Sequence, residues 1–327
     1  MKYKDAGVDI SSLNKVKKRI AQMARATFND NVLTGIGLFG GLYRFGDKIL
    51  VSSTDSVGTK LKIATLAGNH RSVGVDIVNH CINDILTLGA MPLFFLDYIA
   101  FSELDPGILL QIFEGLSRAC QTAGVALIGG ETAQLPGYFQ ANDYDLVGFI
   151  TGVVGDGELL TGSGISPGDI LIGLPSSGLH TNGFSLVRRI FLKEKGCDLS
   201  DRFPELNKNL GEELLTPHRL YLNEVSRVRS LVKGIVHVTG GGFIDNIPRV
   251  LPEGLGADVY LDRWEVPPIF RLIKELGSVP EEEMYRTFNM GIGMILVVGE
   301  DLMSKVLELS GGFKIGMVVD RPGVQLQ

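Results

Sequence analysis

The chain is poor in cysteine, in long apolar runs and in positive charge, and each shortage argues against a class of function. Among 327 residues there are three cysteines, Cys81, Cys120 and Cys197. They are odd in number, far apart and form no CxxC pair, which argues against a disulfide framework or a cysteine zinc site. They read instead as small core hydrophobes. No apolar run reaches the ~20 residues needed to cross a bilayer, and MKYKDAGVDISS at the N-terminus lacks the apolar core of a signal peptide. A soluble, intracellular protein with no membrane partner is expected. Lys and Arg total 31 against 37 Asp and Glu, a net charge of −6, so a general nucleic-acid surface is not expected. A bound polyphosphate would need local cations or a metal. Walker A and HExxH sequences are also missing, and SSGLHTNGFSLVRR at 176–189 holds no GxSxG elbow.

What is present is ample material for a core. Hydrophobic residues make up 45% of the chain and charged residues 21%, and the length suits about two domains. Short apolar runs alternate with helical patterns, so a mixed α/β fold is expected. The patterns predict strands near 48–54, 93–100, 125–129 and 145–154, with helices near 73–89 and 106–122. The second helix opens on Asp105 as N-cap and Pro106 at the first helical position. TGSGISPGD at 161–169 is rich in Gly, Ser and Pro and is the expected domain boundary, giving domains 1–165 and 166–327. Beyond it, strands are predicted near 170–174, 235–239, 257–261, 293–298 and 314–319, and helices over 183–195, 217–232, 266–276 and 300–309.

Several stretches carry chemistry. TDSVGTK at 54–60 leaves a strand and sets a carboxylate, hydroxyls, a glycine and an ammonium in one turn. By itself this is a β-turn capped by Asp55, and its neighbour shifts the weight. On a helical wheel, Asp76, Asn79, His80, Asn83 and Asp84 of VGVDIVNHCINDILTLGA share a ~140° sector. An ordinary solvated face uses long helix-forming side chains; this one has short oxygen-bearing ones, suited to a Mg²⁺ ion with waters and phosphates. Glu131 follows a predicted strand and two glycines. In TGGGF, Gly240, Gly241 and Gly242 precede a short helix and could form an anion site or merely a tight connection. SSGLHTNGF sets Ser177, His180, Thr181 and Asn182 on one loop, a substrate-binding candidate; otherwise His180 would be an exposed loop histidine. GIGLFG at 35–40 matches G-x-G-x-x-G but runs into a strand, which rules out the dinucleotide reading and leaves a glycine-rich loop.

Taken in order, YKDAGVDI, TDSVGTK, GVDIVNHCINDIL, PLFFLDY, GGETAQLPG, SSGLHTNGFSLVR, TGGGF and MYRTFNMGIGM resemble the AIR synthetase-related ATP-binding superfamily. Within it they resemble the phosphoribosylformylglycinamidine cyclo-ligases of purine biosynthesis over essentially the whole chain. Ser56 stands where the family turn has glycine, and His237 where selenophosphate synthetases have Asp. The resemblance implies a homodimer whose N-terminal sheets pair into a barrel. It also implies ATP and Mg²⁺ as cofactors, and ring closure of formylglycinamidine ribonucleotide with release of ADP and phosphate. On this reading Asp55, Asp76, Asp84 and Glu131 hold the metal. Lys4, Asp5, Thr59, Lys60, Asn79 and Asn83 serve the nucleotide, with Lys60 and His180 nearest the chemistry. Ser177, His180, Thr181, Asn182 and Gly240–Gly242 take the substrate. Alanine at Asp55 or Asp84 is expected to abolish turnover and leave the melting temperature nearly unchanged. The alternatives are a small-molecule kinase of the same superfamily and a non-catalytic nucleotide-binding subunit.

Overall fold

The structure, a computed structural model, describes residues 10–327, and the side chains of all of these except 10–15, 17 and 18. Lys4 and Asp5 therefore lie outside the described residues. The helices are α1 (Ile10–Arg25), α2 (Lys60–Ala67), α3 (Arg71–Leu86), α4 (Pro106–Ala123), α5 (Phe184–Arg188), α6 (Leu210–Leu214), α7 (Leu222–Val228), α8 (Gly242–Asn246), α9 (Pro268–Gly277), α10 (Glu281–Thr287) and α11 (Met303–Ser310). The strands are β1 (Gly41–Phe45), β2 (Lys48–Ser56), β3 (Met91–Phe101), β4 (Ala126–Gln134), β5 (Tyr144–Gly155), β6 (Ile170–Pro175), β7 (Gly234–His237), β8 (Gly256–Val259), β9 (Ile292–Val298), β10 (Phe313–Val319) and β11 (Gly323–Leu326). The mixed α/β reading holds.

The strands form two mixed sheets, ordered β1-β2-β5-β3-β4 and β11-β8-β10-β6-β9-β7. Helix α3 packs on one face of the first sheet and α4 packs on α3. Their backbones touch where both carry glycine: a Cβ on Gly74 would stand 2.3 Å from the Ile112 carbonyl oxygen, and one on Gly115 2.1 Å from that of Arg71. Helix α4 starts as expected, with the Asp105 carboxylate accepting from the N–H groups of Gly107 and Ile108, which satisfies two otherwise unpaired donors. The other face of this sheet is open. Tyr98, Ile128 and Phe149 are 38%, 60% and 40% exposed.

Register fixes which face each acidic residue takes. Asp55 pairs with Gly148, Gly148 with Asp97 and Asp97 with Gly130, making one row across the sheet. Directly paired residues share a face. A Cβ on Gly148 would meet Ile77 and Cys81 of α3, so this row faces the helices. The adjacent row, Ser56–Val147–Tyr98–Glu131, faces the open side.

Some local readings change. The helix expected over 217–232 is confined to α7, because residues 216–221 run beneath α3 as an extended strap held by its side chains. The stretch after TDSVG becomes a helix, α2, which local propensity did not single out. The helix expected over 183–195 is α5 continued by a π-helical segment, Arg189–Glu194.

Candidate functional site: a buried histidine and carboxylate cluster

Strands β6 and β7 both run antiparallel to β9 between them, so their C-terminal ends lie at the same edge of the second sheet. The loop after β6 carries His180 and Thr181, and β7 ends on His237. This edge meets the polar face of α3 and the end of β2. Four of the chain's five histidines converge there: His80, His180, His218 and His237 are all 3% exposed or less. His180 is therefore not an exposed loop histidine. Its ring stacks on that of His218 with centroids 3.9 Å apart, and its Nε2 accepts from the Ser177 N–H at 3.2 Å.

A chain of polar contacts links the cluster. His80 Nε2 lies 2.9 Å from Asp55 Oδ2, and His80 Nδ1 lies 2.9 Å from Thr181 Oγ1. Thr181 Oγ1 is 3.5 Å from His218 Nδ1, and His218 Nε2 is 3.1 Å from His237 Nε2. His237 Nδ1 is in turn 2.8 Å from Asp84 Oδ1. Ser53 Oγ donates to Asp84 Oδ2 at 3.1 Å. Burial opposes a charge on His80, but the carboxylates of Asp55, Asp84 and Asp76 outweigh it and push its pKa up to about 9. His180, His218 and His237 are held below the ordinary histidine range, first by burial; Asp84 opposes the shift at His237. One imidazolium and three neutral rings result near neutral pH. Asp55 is pulled below the usual carboxylate value, burial notwithstanding, by His80 and the Ser56 N–H. Its side chain is 42% exposed, which makes it the accessible end of the cluster.

Other expected site residues serve a different purpose. Lys60 and Asp76 form a fully buried ion pair at 2.8 Å. The Lys60 ammonium also donates to the carbonyls of His180 and Thr216 at 3.0 and 2.9 Å, so its three protons are all engaged. Asp76 Oδ1 accepts from the His218 N–H at 2.7 Å. Burial pulls the Lys60 pKa down and pushes that of Asp76 up, against the attraction within the pair. Both residues are buried and turned toward each other and the strap. Asn79 donates to the His218 carbonyl; Asn83 donates to that of Arg219 and accepts from the Tyr221 N–H. Much of the polar face of α3 thus grips the strap at 216–221. The wheel found that face correctly, but its chemistry is divided between Asp84 and His80 at the cluster and Asp76, Asn79 and Asn83 at the strap.

Glu131 is exposed on the open face of the first sheet, three strands from β2, and does not join Asp55 and Asp84. Thr59 is exposed and its hydroxyl meets that of Ser185 at 3.1 Å. Ser177 Oγ donates to the Pro217 carbonyl at 2.6 Å. The TGGGF turn has the plainer explanation: α8 is five residues long, and a Cβ on Gly242 would lie 2.0 Å from the Tyr285 carbonyl oxygen. A Cβ on Gly241 would crowd the Asp245 carboxylate, which is unfavourable company for an anion. A Cβ on Gly240 would lie 3.2 Å from Asn182 Oδ1, so the two glycine-bearing loops share an edge. The loop at 35–40 is pinned across the two halves: Arg249 donates to the carbonyls of Gly37 and Leu38 and lies 3.7 Å over the Phe39 ring. A concavity of about 540 Å³ bordered by Arg71, Gln111, Arg118 and Pro217 contains none of the expected residues.

Sequence reasoning missed His218 and His237 as neighbours of His80. The only local signals were that His80 and His180 lie within motifs and that His237 stands just before TGGGF; His218 lies beside none. Their meeting depends on the packing of two sheets and a strap.

Two family models match the chain: AIR synthase related protein, N-terminal domain, over residues 39–154, and AIR synthase related protein, C-terminal domain, over residues 166–327. The phosphoribosylformylglycinamidine cyclo-ligase of Caldanaerobacter subterraneus subsp. tengcongensis is 47% identical over 332 residues, covering 99% of each chain. That of Caldicellulosiruptor bescii is 50% identical over 316 residues, covering 94% of this chain and 93% of its own. Among solved structures, AaThiL complexed with AMPPCP and TMP superposes with a TM-score of 0.67 at 15% identity, covering 94% of this chain and 91% of that one. T. maritima PurL complexed with AMPPCP gives 0.59 at 17% identity, covering 88% of this chain and 43% of that one. At such identities these two speak for the fold.

Proposed function

Since the chain belongs to the phosphoribosylformylglycinamidine cyclo-ligase family, we propose that the edge between its two sheets, with Asp55 at its mouth, is where ATP drives ring closure of formylglycinamidine ribonucleotide to aminoimidazole ribonucleotide. The observation that carries the activity is identity of 47% over 99% of both chains with a protein of that name. The alternatives, a kinase or a non-catalytic subunit, have no comparable support.

The formyl oxygen is a poor leaving group. Transfer of the γ-phosphate to it activates the carbon, the amidine-side nitrogen attacks within the same molecule, and phosphate leaves. Such chemistry asks a protein mainly for positioning and charge neutralisation. Partly exposed Asp55, backed by Asp84, offers the oxygen donors that a hard ion takes. These two would hold Mg²⁺ entering with ATP, and the ion would supply neutralisation of the phosphate charge. Lys60 and Asp76 contribute by fixing the strap against α3, which sets the distance between the two halves of the site. Asn182 and Gly240 border the edge where the substrate would sit.

The open, apolar face of the first sheet supports a homodimer formed by that face, which would carry Glu131 to the junction between the two copies. A cytoplasmic location fits a biosynthetic enzyme of this kind. The test mixes purified protein, MgATP and formylglycinamidine ribonucleotide and follows ADP and the diazotisable aminoimidazole together. Equal, Mg²⁺-dependent appearance of both is expected. ADP without the imidazole would overturn the cyclo-ligase assignment in favour of a kinase or ATPase.

A further inference from the structure

The concavity of about 540 Å³ bordered by α3, α4 and the strap has no part in the proposed chemistry. Its volume suits a small molecule rather than a lone ion, and its polar lining is rich in donors. Arg71, in the first turn of α3, gives only its Nε to the Glu114 carboxylate. Its two terminal nitrogens make no hydrogen bond among the described residues, and that edge of a guanidinium takes an oxyanion with two parallel bonds. Arg118 lies one turn along α4 from Glu114 and has no ion pair among the described residues. Gln111 Oε1 accepts from the His70 N–H at 3.2 Å, which leaves the amide NH₂ to donate. Ser72 is 8% exposed and its hydroxyl has no partner, a condition that calls for a ligand or a water. The first turn of α3 carries no acidic side chain, and His70, its N-cap, supplies no side-chain acceptor, so the helix start adds partial positive charge. Glu114 is the one carboxylate among the bordering residues, against two guanidinium groups. Val75, Leu215 and Pro217 add apolar wall.

We propose that this cavity binds a phosphate monoester of small-molecule size, its phosphate held by Arg71, Arg118, Gln111 and Ser72 and its organic body laid on Val75, Leu215 and Pro217. A phosphate dianion presents three acceptor oxygens in different directions, which suits donors arriving from two helices. A lone ion would leave the apolar wall uncovered, and a neutral molecule would leave the guanidinium edges without an acceptor. Asp55, Asp84 and the histidine cluster do not border the cavity. The site is therefore separate from the catalytic edge, and it does not rest on the cyclo-ligase reading.

The test titrates the full chain with AMP as probe, followed by calorimetry, beside adenosine and inorganic phosphate. AMP is expected to bind more tightly than either. Arg118→Gln and Gln111→Leu should each weaken AMP by about tenfold or more, as loss of a hydrogen bond to a charged group does, with turnover in the coupled assay unchanged. Unchanged AMP affinity in both variants would overturn the site. Adenosine binding as well as AMP would overturn the anion reading, and phosphate binding as well as AMP would overturn the molecule-sized ligand. Amide hydrogen exchange of the unmodified chain decides should a variant fail to fold. Slower exchange with AMP in peptides covering 68–75 and 111–118 supports the cavity. Protection confined to peptides around 54–60 and 176–182 would place AMP at the catalytic edge and refute it. AMP binding that is weakened in both variants, in a chain that forms no aminoimidazole, would support the cavity and overturn the cyclo-ligase assignment alone.

Discussion

At the scale of single residues, burial separates side chains that look alike in sequence. Asp55 and Asp84 were expected to behave the same way on replacement by alanine, and their surroundings differ. The half-exposed Asp55 should lose turnover when replaced by alanine, and because its carboxylate is the main counter-charge of buried His80, stability should fall by about 1–3 kcal/mol. Asp84→Ala leaves the buried His237 Nδ1 without its acceptor, while Ser53 keeps the Phe39 carbonyl, and should also lower stability by about 1–3 kcal/mol; thermal melts beside the coupled assay check both. Lys60→Met leaves Asp76 as a buried carboxylate without its cation and should cost about 3–5 kcal/mol, seen as a fall in denaturant midpoint. Asp97 has no partner for either oxygen, and burial pushes its pKa up to about 6. Its folded pKa lies above the unfolded one, so the associated stability is present at low pH and is lost as pH rises through about 6. Asp97→Asn should therefore stabilise the protein near neutral pH by about 1–3 kcal/mol, and the gain should vanish below about pH 4. A gain independent of pH would refute this account.

At the scale of elements, α3 is the organising piece. One side packs on the first sheet, the start of the helix meets α4 through Gly74 and Gly115, and the polar side grips the strap. Its polar residues were legible on the wheel as unusual for a solvated face, and the face is indeed not solvated. What the wheel lacked was the strap, because residues 216–221 bear no local sign of where they will lie. Gly115→Ala should force α4 away from α3 and destabilise by about 1–3 kcal/mol. Turnover should fall as well, since α3 carries His80 and Asp84; unchanged stability would show that the two helices can separate freely.

At the scale of the molecule, the edge of the second sheet meets α3 of the first half through carboxylate and imidazole groups as well as apolar surface. The opposite face of the first sheet is open and exposes Tyr98, Ile128 and Phe149, the apolar side chains on which the proposed dimer would rest. Ile128→Lys together with Phe149→Glu should convert a dimer to monomers in sedimentation, with the circular dichroism spectrum preserved. A dimer that persists would place the interface elsewhere.

Most of the strands and helices, the Asp105 cap, and the short polar side chains of α3 follow from local sequence, because period, capping and turn chemistry act within a few residues; α2 and the strap at 216–221 do not. The same local order of motifs was enough to indicate the family. The convergence of His80, His180, His218 and His237, the commitment of Lys60 to Asp76 and the separation of Glu131 from Asp55 were decided by tertiary structure alone. They depend on strand register, on β6 and β7 ending at one edge, and on a strap crossing from one half to the other, and contacts between residues so distant in the chain leave no periodic trace in it.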